Sequence, residues 1–304
     1  MGIIRSHAEL YLAARARGVD FTRTLTLGRQ RLYVTASELK SLRARYRPTD
    51  TRPLGDLRYG EPADRFLTRF LDVRDLRSLD HSPYEGAALT HDLNQPLPAA
   101  LHEQFDVVID SGTLEHVFNL PVAIASCMQL VKRGGTLFLS SPANNMCGHG
   151  FYQFSPELFF RLFNGANGFS LTRLVLVTHP FPGAELSSRQ TWYEVRDPAE
   201  IGARAPLMTR TPAFLMLEAR REEIVDVLAT PPQQSDYVAK WQSATADSHA
   251  ATTPAPSSSE ARAFRPARAV FTRLPPGLQM FVTGWYQRGI LCTLRNRRAF
   301  RRLD

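Results

Sequence analysis

No stretch of about 18 to 20 uncharged apolar residues occurs anywhere in the 304-residue chain, so the sequence holds no candidate for a membrane-crossing helix. The opening residues, MGIIRSHAELYLAARARG, lack the apolar core of a secretory signal. Cysteine is scarce. Cys127, Cys147 and Cys292 are odd in number and widely spaced, which speaks against both a disulfide framework and a four-thiolate zinc site and suits a reducing compartment. There is no internal repeat, and lysine is missing from residue 261 onward. These absences lead to the expectation of a cytoplasmic protein, either soluble or held peripherally on the inner face of a membrane.

What is present must be located along the chain. The net charge of +8 suggests nucleic acid until residues 261–304 are set apart: they hold ten arginines and one aspartate, so this tail carries +9 and the body is close to neutral. A neutral body argues against specific nucleic-acid binding, which draws on a basic face of the fold itself. Residues 230–261 are rich in Pro, Ser, Ala, Thr and Gln and poor in large apolar side chains, a composition expected of a disordered linker. Beyond it, arginines alternate with Phe281, Trp285, Tyr286, Ile290 and Leu294. Two readings of this tail stand: a disordered basic arm, or an amphipathic helix from about Leu278 lying in an anionic leaflet, where each basic residue adds about 1 kcal/mol.

The body is organised around residues 105–157. Phe105 to Ile109 form a mostly apolar run, interrupted only by Asp106, as in a strand buried on both faces, and end in Asp110, Ser111 and Gly112. Helical spacing of apolar residues from Leu114 to Val131, closed by Lys132, Arg133 and Gly134, predicts one continuous helix. A second apolar run from Thr136 to Leu139 makes this a strand–helix–strand unit. Upstream, the spacing predicts a helix over 4–17, a strand over 24–28, and a helix over 36–46 begun by the capping box of Thr35 and Glu38. A further helix over 63–71, a strand ending at Asp80, a turn into a short helical stretch after it, and a brief strand before Asp92 follow. Downstream come a helix begun by Ser155-Pro156-Glu157 and strands over 171–178 and 213–219, with a polar excursion between them.

This alternation predicts an α/β fold: a Rossmann-like, doubly wound, mostly parallel sheet of about seven strands over residues 24–229. It is preceded by an N-terminal helix (1–23) and followed by the linker (230–261) and the tail (262–304). Ligands of such sheets sit outside the carboxyl ends of the strands. The polar groups expected there are Gly28, Asp80, Asp92, Asp110 to Gly112, Glu115-His116 and the loop from Asn144 to Gln153.

With strands ending at Gly28, Asp80, Asp92 and Asp110 and with Glu115-His116 next, the chain resembles the class I S-adenosylmethionine-dependent methyltransferases. FDVVIDSGTLEHV and LVKRGGTLFLSSP are similar to the fourth- and fifth-strand motifs of that superfamily. LGRQ, SLDHSPYEGA, HDLNQPLP and NNMCGHGFYQFSPELFFR resemble a bacterial branch found among surface-polysaccharide genes. The resemblance implies S-adenosylmethionine as cofactor, with Asp80 on the ribose hydroxyls, Asp92 and Leu93 at the adenine, and Asp110, Gly112 and Glu115 near the methionine portion. It also implies transfer of a methyl group to an oxygen or nitrogen of a small-molecule or carbohydrate acceptor. A carboxylate suits two ribose hydroxyls because it accepts both hydrogen bonds.

The departure lies after the first strand. Leu27-Gly28-Arg29-Gln30 has a single glycine where the superfamily has several, and no acid precedes it. Arg29 either pairs with the cofactor's carboxylate or fills its place. In the second case the domain is catalytically silent and serves as a membrane-tethered scaffold. On the acceptor side, His149 is the candidate general base with His116 beside the ligand, and Asn144, Asn145, Tyr152 and Gln153 are candidates to orient the acceptor. A histidine between glycines also suits a metal, yet no second ligand lies at ligand spacing in the sequence, so no metal is expected.

Overall fold

The computed structural model describes residues 2–178, 190–249, 271 and 274–303. They fall into two compact units. The larger comprises residues 1–195, 210–232 and 302–304, and the smaller residues 196–209 and 233–301.

In the larger unit, β1 (Gly2–Ile4) leads into α1 (Arg5–Ala16), then β2 (Arg23–Leu27), β3 (Arg31–Tyr33), α2 (Ala36–Tyr46), α3 (Asp64–Phe70), β4 (Asp75–Asp80) and β5 (Leu89–Thr90). β6 (Phe105–Ser111), α4 (Leu120–Leu130), β7 (Val131–Asn144), α5 (Pro156–Leu162), β8 (Phe169–Thr178), β9 (Thr191–Val195) and β10 (Ala213–Arg221) follow. β11 (Phe300–Leu303) closes one edge of the nine-stranded sheet, whose order is β11-β9-β8-β10-β7-β6-β2-β4-β5. From β5 to β7 all neighbours are parallel, and β10 runs antiparallel to both β7 and β8. The chain winds from β2 outward to β5, then starts again on the other side of β2 with β6. The reversal therefore falls between the tips of β2 and β6, which is where doubly wound sheets open a ligand crevice. This is the Rossmann-like sheet expected, with two more strands than the seven foreseen. The two additional strands are β9 and β11, and β1 and β3, also not predicted, pair in parallel as a separate two-stranded sheet.

β6 is buried at all seven positions, as a central strand of an apolar sheet must be. α1 packs on one face: Tyr11 meets Phe138 edge-on at 5.1 Å, and Phe138 stacks on Phe21 at 5.7 Å. Two polar groups of α1 reach the strand ends. His7 Nε2 lies 2.8 Å from Ser140 Oγ and the Tyr11 hydroxyl 3.0 Å from Ser111 Oγ. The predicted capping box forms, with the Glu38 N–H donating to Thr35 Oγ1 and the Thr35 N–H to Glu38 Oε2. Ser155 likewise caps α5.

Three local expectations are corrected. The helix predicted from Leu114 to Val131 is broken: a single 3-10 turn spans Leu114–His116, and α4 starts only at Leu120 with Pro121 in its first turn. Proline has no N–H to donate back into the preceding turn, so a helix begins there and cannot run through. Lys132 to Gly134 are not the basic end of that helix, since they already belong to β7. The cation that caps α4 is the buried Arg221 of β10, whose Nη1 donates to the carbonyls of Met128, Gln129 and Val131, while Lys132 pairs with Asp106. The stretch after Asp80 forms turns with no helix.

In the smaller unit, α6 (Pro198–Ile201) is capped by Asp197, and α7 (Ser235–His249) and α8 (Pro276–Tyr286) follow, the last running into a π-helical turn at Gln287–Leu291. α7 lies inside the predicted disordered linker and corrects it. Composition missed the interactions that order its first turns: Asp236 pairs with Arg204 and Lys240, and Tyr237 stacks on Trp241 at 5.9 Å. Residues 250–261 of that linker, and all of 262–273 except Phe271, lie outside the described residues. The tail helix is shorter than predicted. Thr293 to Arg297 form turns, and Phe300–Leu303 is a strand. No described helix is long and apolar enough to cross a membrane.

Candidate active site

The carboxyl ends of β5, β4, β2, β6 and β7 point the same way, and the residues predicted for the site follow these strands in sequence, at their ends or in the loops after them. At the tip of β2, Gly28 has φ +66°, a left-handed conformation that favours glycine, and its N–H donates to Leu79 O at 2.8 Å. Arg29 makes two contacts. Its guanidinium pairs with Asp64 of α3 at 2.9 Å and reaches Glu85 O at 3.4 Å, in the loop after β4. Gln30 is buried, with its amide Nε2 donating to Leu27 O at 2.7 Å and its Oε1 lacking a partner. In the sequence it is only one of the residues that stand in place of the usual glycines. Its orphaned acceptor emerges only from the fold.

At the next two tips, Asp80 accepts from the His81 N–H at 2.6 Å, and Asp92 Oδ1 accepts from both the backbone and side-chain N–H groups of Asn94. His81 Nδ1 lies 3.9 Å from Asp92 Oδ1, so the histidine that follows Asp80 bridges the two tips. The Asn94 bonds, with His81 and His91 nearby, hold the Asp92 carboxyl below its usual range. Leu93 is buried behind it. Asn94 in turn accepts from the Asn119 N–H at 2.9 Å and its backbone carbonyl accepts from the Asn119 side chain at 3.0 Å, which ties this loop to the break before α4.

At the tip of β6, Asp110 is fully buried and accepts from the N–H groups of Thr113 at 2.7 Å and Leu114 at 3.4 Å. Burial and the nearby Glu115 carboxylate raise its pKa to about 7. Gly112 turns the chain at φ +103°, and the Thr113 hydroxyl donates across to Leu27 O at 3.4 Å, spanning the gap between β2 and β6.

The residues predicted for the acceptor side form a separate group, and Glu115, predicted for the cofactor side, stands with them. Glu115 is 1% exposed. Its Oε1 lies 3.4 Å from His149 Nε2 and 4.0 Å from His116 Nε2, and both rings are about half exposed. The side-chain ligand atoms of the three residues all fall within 4.8 Å of one another. The fold thus brings beside His149 two side chains that sequence spacing did not place there. The loop carrying His149 is clamped on Glu115: the N–H groups of Phe151 and Tyr152 donate to Glu115 O at 2.8 and 3.3 Å. A Cβ on Gly150 would sit 2.8 Å from that same oxygen. Tyr152 donates its hydroxyl to Phe118 O and Gln153 Oε1 accepts from the Met146 N–H, so these two side chains close the loop. Asn144 ends β7, and Asn145 turns the chain at φ +58°. Sequence reading missed Phe118 and Phe151. Each lies two residues after a cluster histidine, each is at least 70% exposed, and their rings meet edge to face at 6.4 Å.

No protein-family model and no curated protein matches the chain. Its fold is similar to that of several solved proteins. A SAM-dependent methyltransferase from Thermotoga maritima matches over 70% of this chain and 88% of its own, at 15% identity and TM-score 0.36. The 1,6-didemethyltoxoflavin-N1-methyltransferase of Burkholderia thailandensis, bound to that substrate and S-adenosylhomocysteine, matches over 72% and 78%, at 13% identity and TM-score 0.37. The branched-chain polyamine synthase of Thermus thermophilus, bound to N4-aminopropylspermidine and 5'-methylthioadenosine, matches over 76% of this chain but 60% of its own, at 16% identity and TM-score 0.34. What assigns the fold is the strand order itself.

Proposed function

We propose that this protein is an S-adenosylmethionine-dependent methyltransferase acting on a hydroxyl- or amine-bearing small molecule or glycan. The observation that carries the reading is the arrangement at one sheet edge: hydrogen-bond acceptors at neighbouring strand tips, next to a Glu–His–His cluster on the adjoining loops. The donor set fits the cofactor. A cationic amino acid joined to a nucleoside presents N–H and O–H donors, and the edge presents Gln30 Oε1, Asp80, Asp92 and Asp110. The orphaned Gln30 Oε1 is the most telling member, because a buried carbonyl without a donor costs about 1–3 kcal/mol that a ligand N–H would recover. Arg29 is engaged with Asp64 and Glu85 O.

When bound, S-adenosylmethionine supplies a methyl group on a positively charged sulfur. The chain's own contribution is alignment, water exclusion and handling of one proton. Asp80 holds the ribose, Asp92 and Leu93 hold the adenine edge, and Gly28 and Gly112 let the backbone approach. For a hydroxyl acceptor, the Glu115, His116 and His149 cluster promotes loss of the proton, and the exposed Phe118 and Phe151 pair gives a ring-shaped acceptor a face to rest on. A sugar or a planar ring suits that face. The tail contributes location: Met280, Phe281 and Trp285 on α8 are exposed, which suits the surface of an anionic membrane.

Calorimetric titration of the full chain with S-adenosylmethionine tests the reading. Binding tighter than about 100 μM, roughly −5.5 kcal/mol, should weaken in Asp80→Ala and Gln30→Leu. No heat at millimolar ligand would sink it. Flotation with phosphatidylserine vesicles tests the tail, and a full-length chain that stays behind refutes that part alone.

A further inference from the structure

We propose that Glu115, His116 and His149 together bind one divalent transition-metal ion, which takes up the acceptor's hydroxyl oxygen. The inference rests on the acceptor-side reading above and gives it a chemistry.

Geometry comes first. Carboxylate oxygen and imidazole nitrogen bind Zn2+ at about 2.0–2.2 Å, so adjacent ligand atoms of a tetrahedral site stand about 3.3 Å apart. Glu115 Oε1 and His149 Nε2 are already at 3.4 Å, and His116 Nε2, on a half-exposed ring, is at 4.0 Å. Preorganisation supports the same conclusion. Ser141 Oγ donates to Glu115 Oε2 at 3.4 Å, which leaves Oε1 toward the two histidines, as an outer partner does for a metal-bound carboxylate. The Phe151 N–H bond and the close packing of Gly150 hold the His149 loop against Glu115.

Charge argues further. Glu115 and Asp110 are both buried, and among the described residues neither forms an ion pair with a lysine or arginine. A buried carboxylate calls for a counter-charge, and no lysine or arginine among the described residues supplies one to Glu115. A divalent ion supplies it fully. One carboxylate and two imidazoles suit Zn2+, Co2+, Mn2+ or Fe2+ better than Mg2+ or Ca2+, which prefer all-oxygen sets. Three protein ligands leave at least one position open, on the side where both histidines are exposed and Phe118 and Phe151 form the rim. A hydroxyl coordinated there has its pKa lowered by the ion and sheds its proton to water. The acceptor class is therefore a ring alcohol or phenol.

The test uses the full chain, stripped with EDTA, dialysed, and titrated with ZnCl2 by calorimetry and with CoCl2 by visible absorption. The expected result is one ion per chain with a micromolar or tighter Kd. His149→Ala and His116→Ala should each weaken it by about 100-fold, while His102→Ala, remote in sequence from the cluster, leaves it unchanged. Both cluster histidines are half exposed, so these variants should fold. No uptake at 100-fold excess metal, or uptake that both variants retain, overturns the proposal and leaves an ordinary Glu115–His149 ion pair. S-adenosylmethionine is titrated into the same stripped protein. Cofactor binding without metal uptake overturns the ion alone, whereas metal uptake without cofactor binding overturns the methyltransferase reading and spares the ion.

Discussion

Gly150→Ala probes how the site is held together. A Cβ at Gly150 lies 2.8 Å from Glu115 O, 2.9 Å from Glu115 Cγ and 3.2 Å from its carbonyl carbon, and two of these are backbone atoms that cannot swing aside. To reach an ordinary contact the loop must retreat by about 0.6 Å. The same oxygen accepts the Phe151 N–H at 2.8 Å and the Tyr152 N–H at 3.3 Å, so the retreat stretches the first bond to its limit and breaks the second. Overpacking costs about 1–3 kcal/mol. The loop is at the rim, so release of the loop absorbs most of this, and global stability should fall by only about 1 kcal/mol, or about 2–4 °C in Tm. His149 moves with the loop, and zinc affinity should fall at least tenfold, about 1.4 kcal/mol. Gly148→Ala is the control: a Cβ there meets nothing, but φ is +86°, so its penalty of about 1–2 kcal/mol is conformational and leaves Glu115 undisturbed. Thermal melts and zinc titrations of both variants decide the matter. A Gly150→Ala protein with wild-type melting and wild-type zinc affinity would refute the clamp.

His7 and Arg221 give two further tests, both of stability. His7 is buried, and desolvation lowers its pKa from 6.5 to about 4. Both states are neutral above pH 6.5; between 6.5 and 4 only the unfolded chain gains the proton, so stability falls as pH falls through that window, by about 3 kcal/mol in all. Urea melts at pH 7 and pH 4.5 should show a shallower loss in His7→Asn than in wild type, and equal slopes would contradict the assignment. Arg221→Met removes the donor to three carbonyls at the end of α4 and should cost about 2–4 kcal/mol, with Arg221→Lys recovering part of it. A chemical melt unchanged in Arg221→Met would show that water caps the helix instead.

Local signals in the sequence already determined much of this protein. A hydroxyl three residues before a glutamate specifies the start of α2, a mostly apolar run specifies β6, and strand-ending aspartates specify which edge of the sheet is polar, because each effect operates over a few residues of chain. Tertiary structure alone decided the rest. It exchanged Lys132 for Arg221 as the cap of α4, turned Arg29 toward Asp64, left Gln30 with an orphaned buried acceptor, and ordered Ser235–His249 through side-chain pairs that composition does not reveal. Above all it brought His149 to Glu115 and His116. Their proximity depends on β7 lying beside β6 and on a loop folding back onto one backbone carbonyl, and distances set by strand order and loop closure leave no mark in sequence spacing.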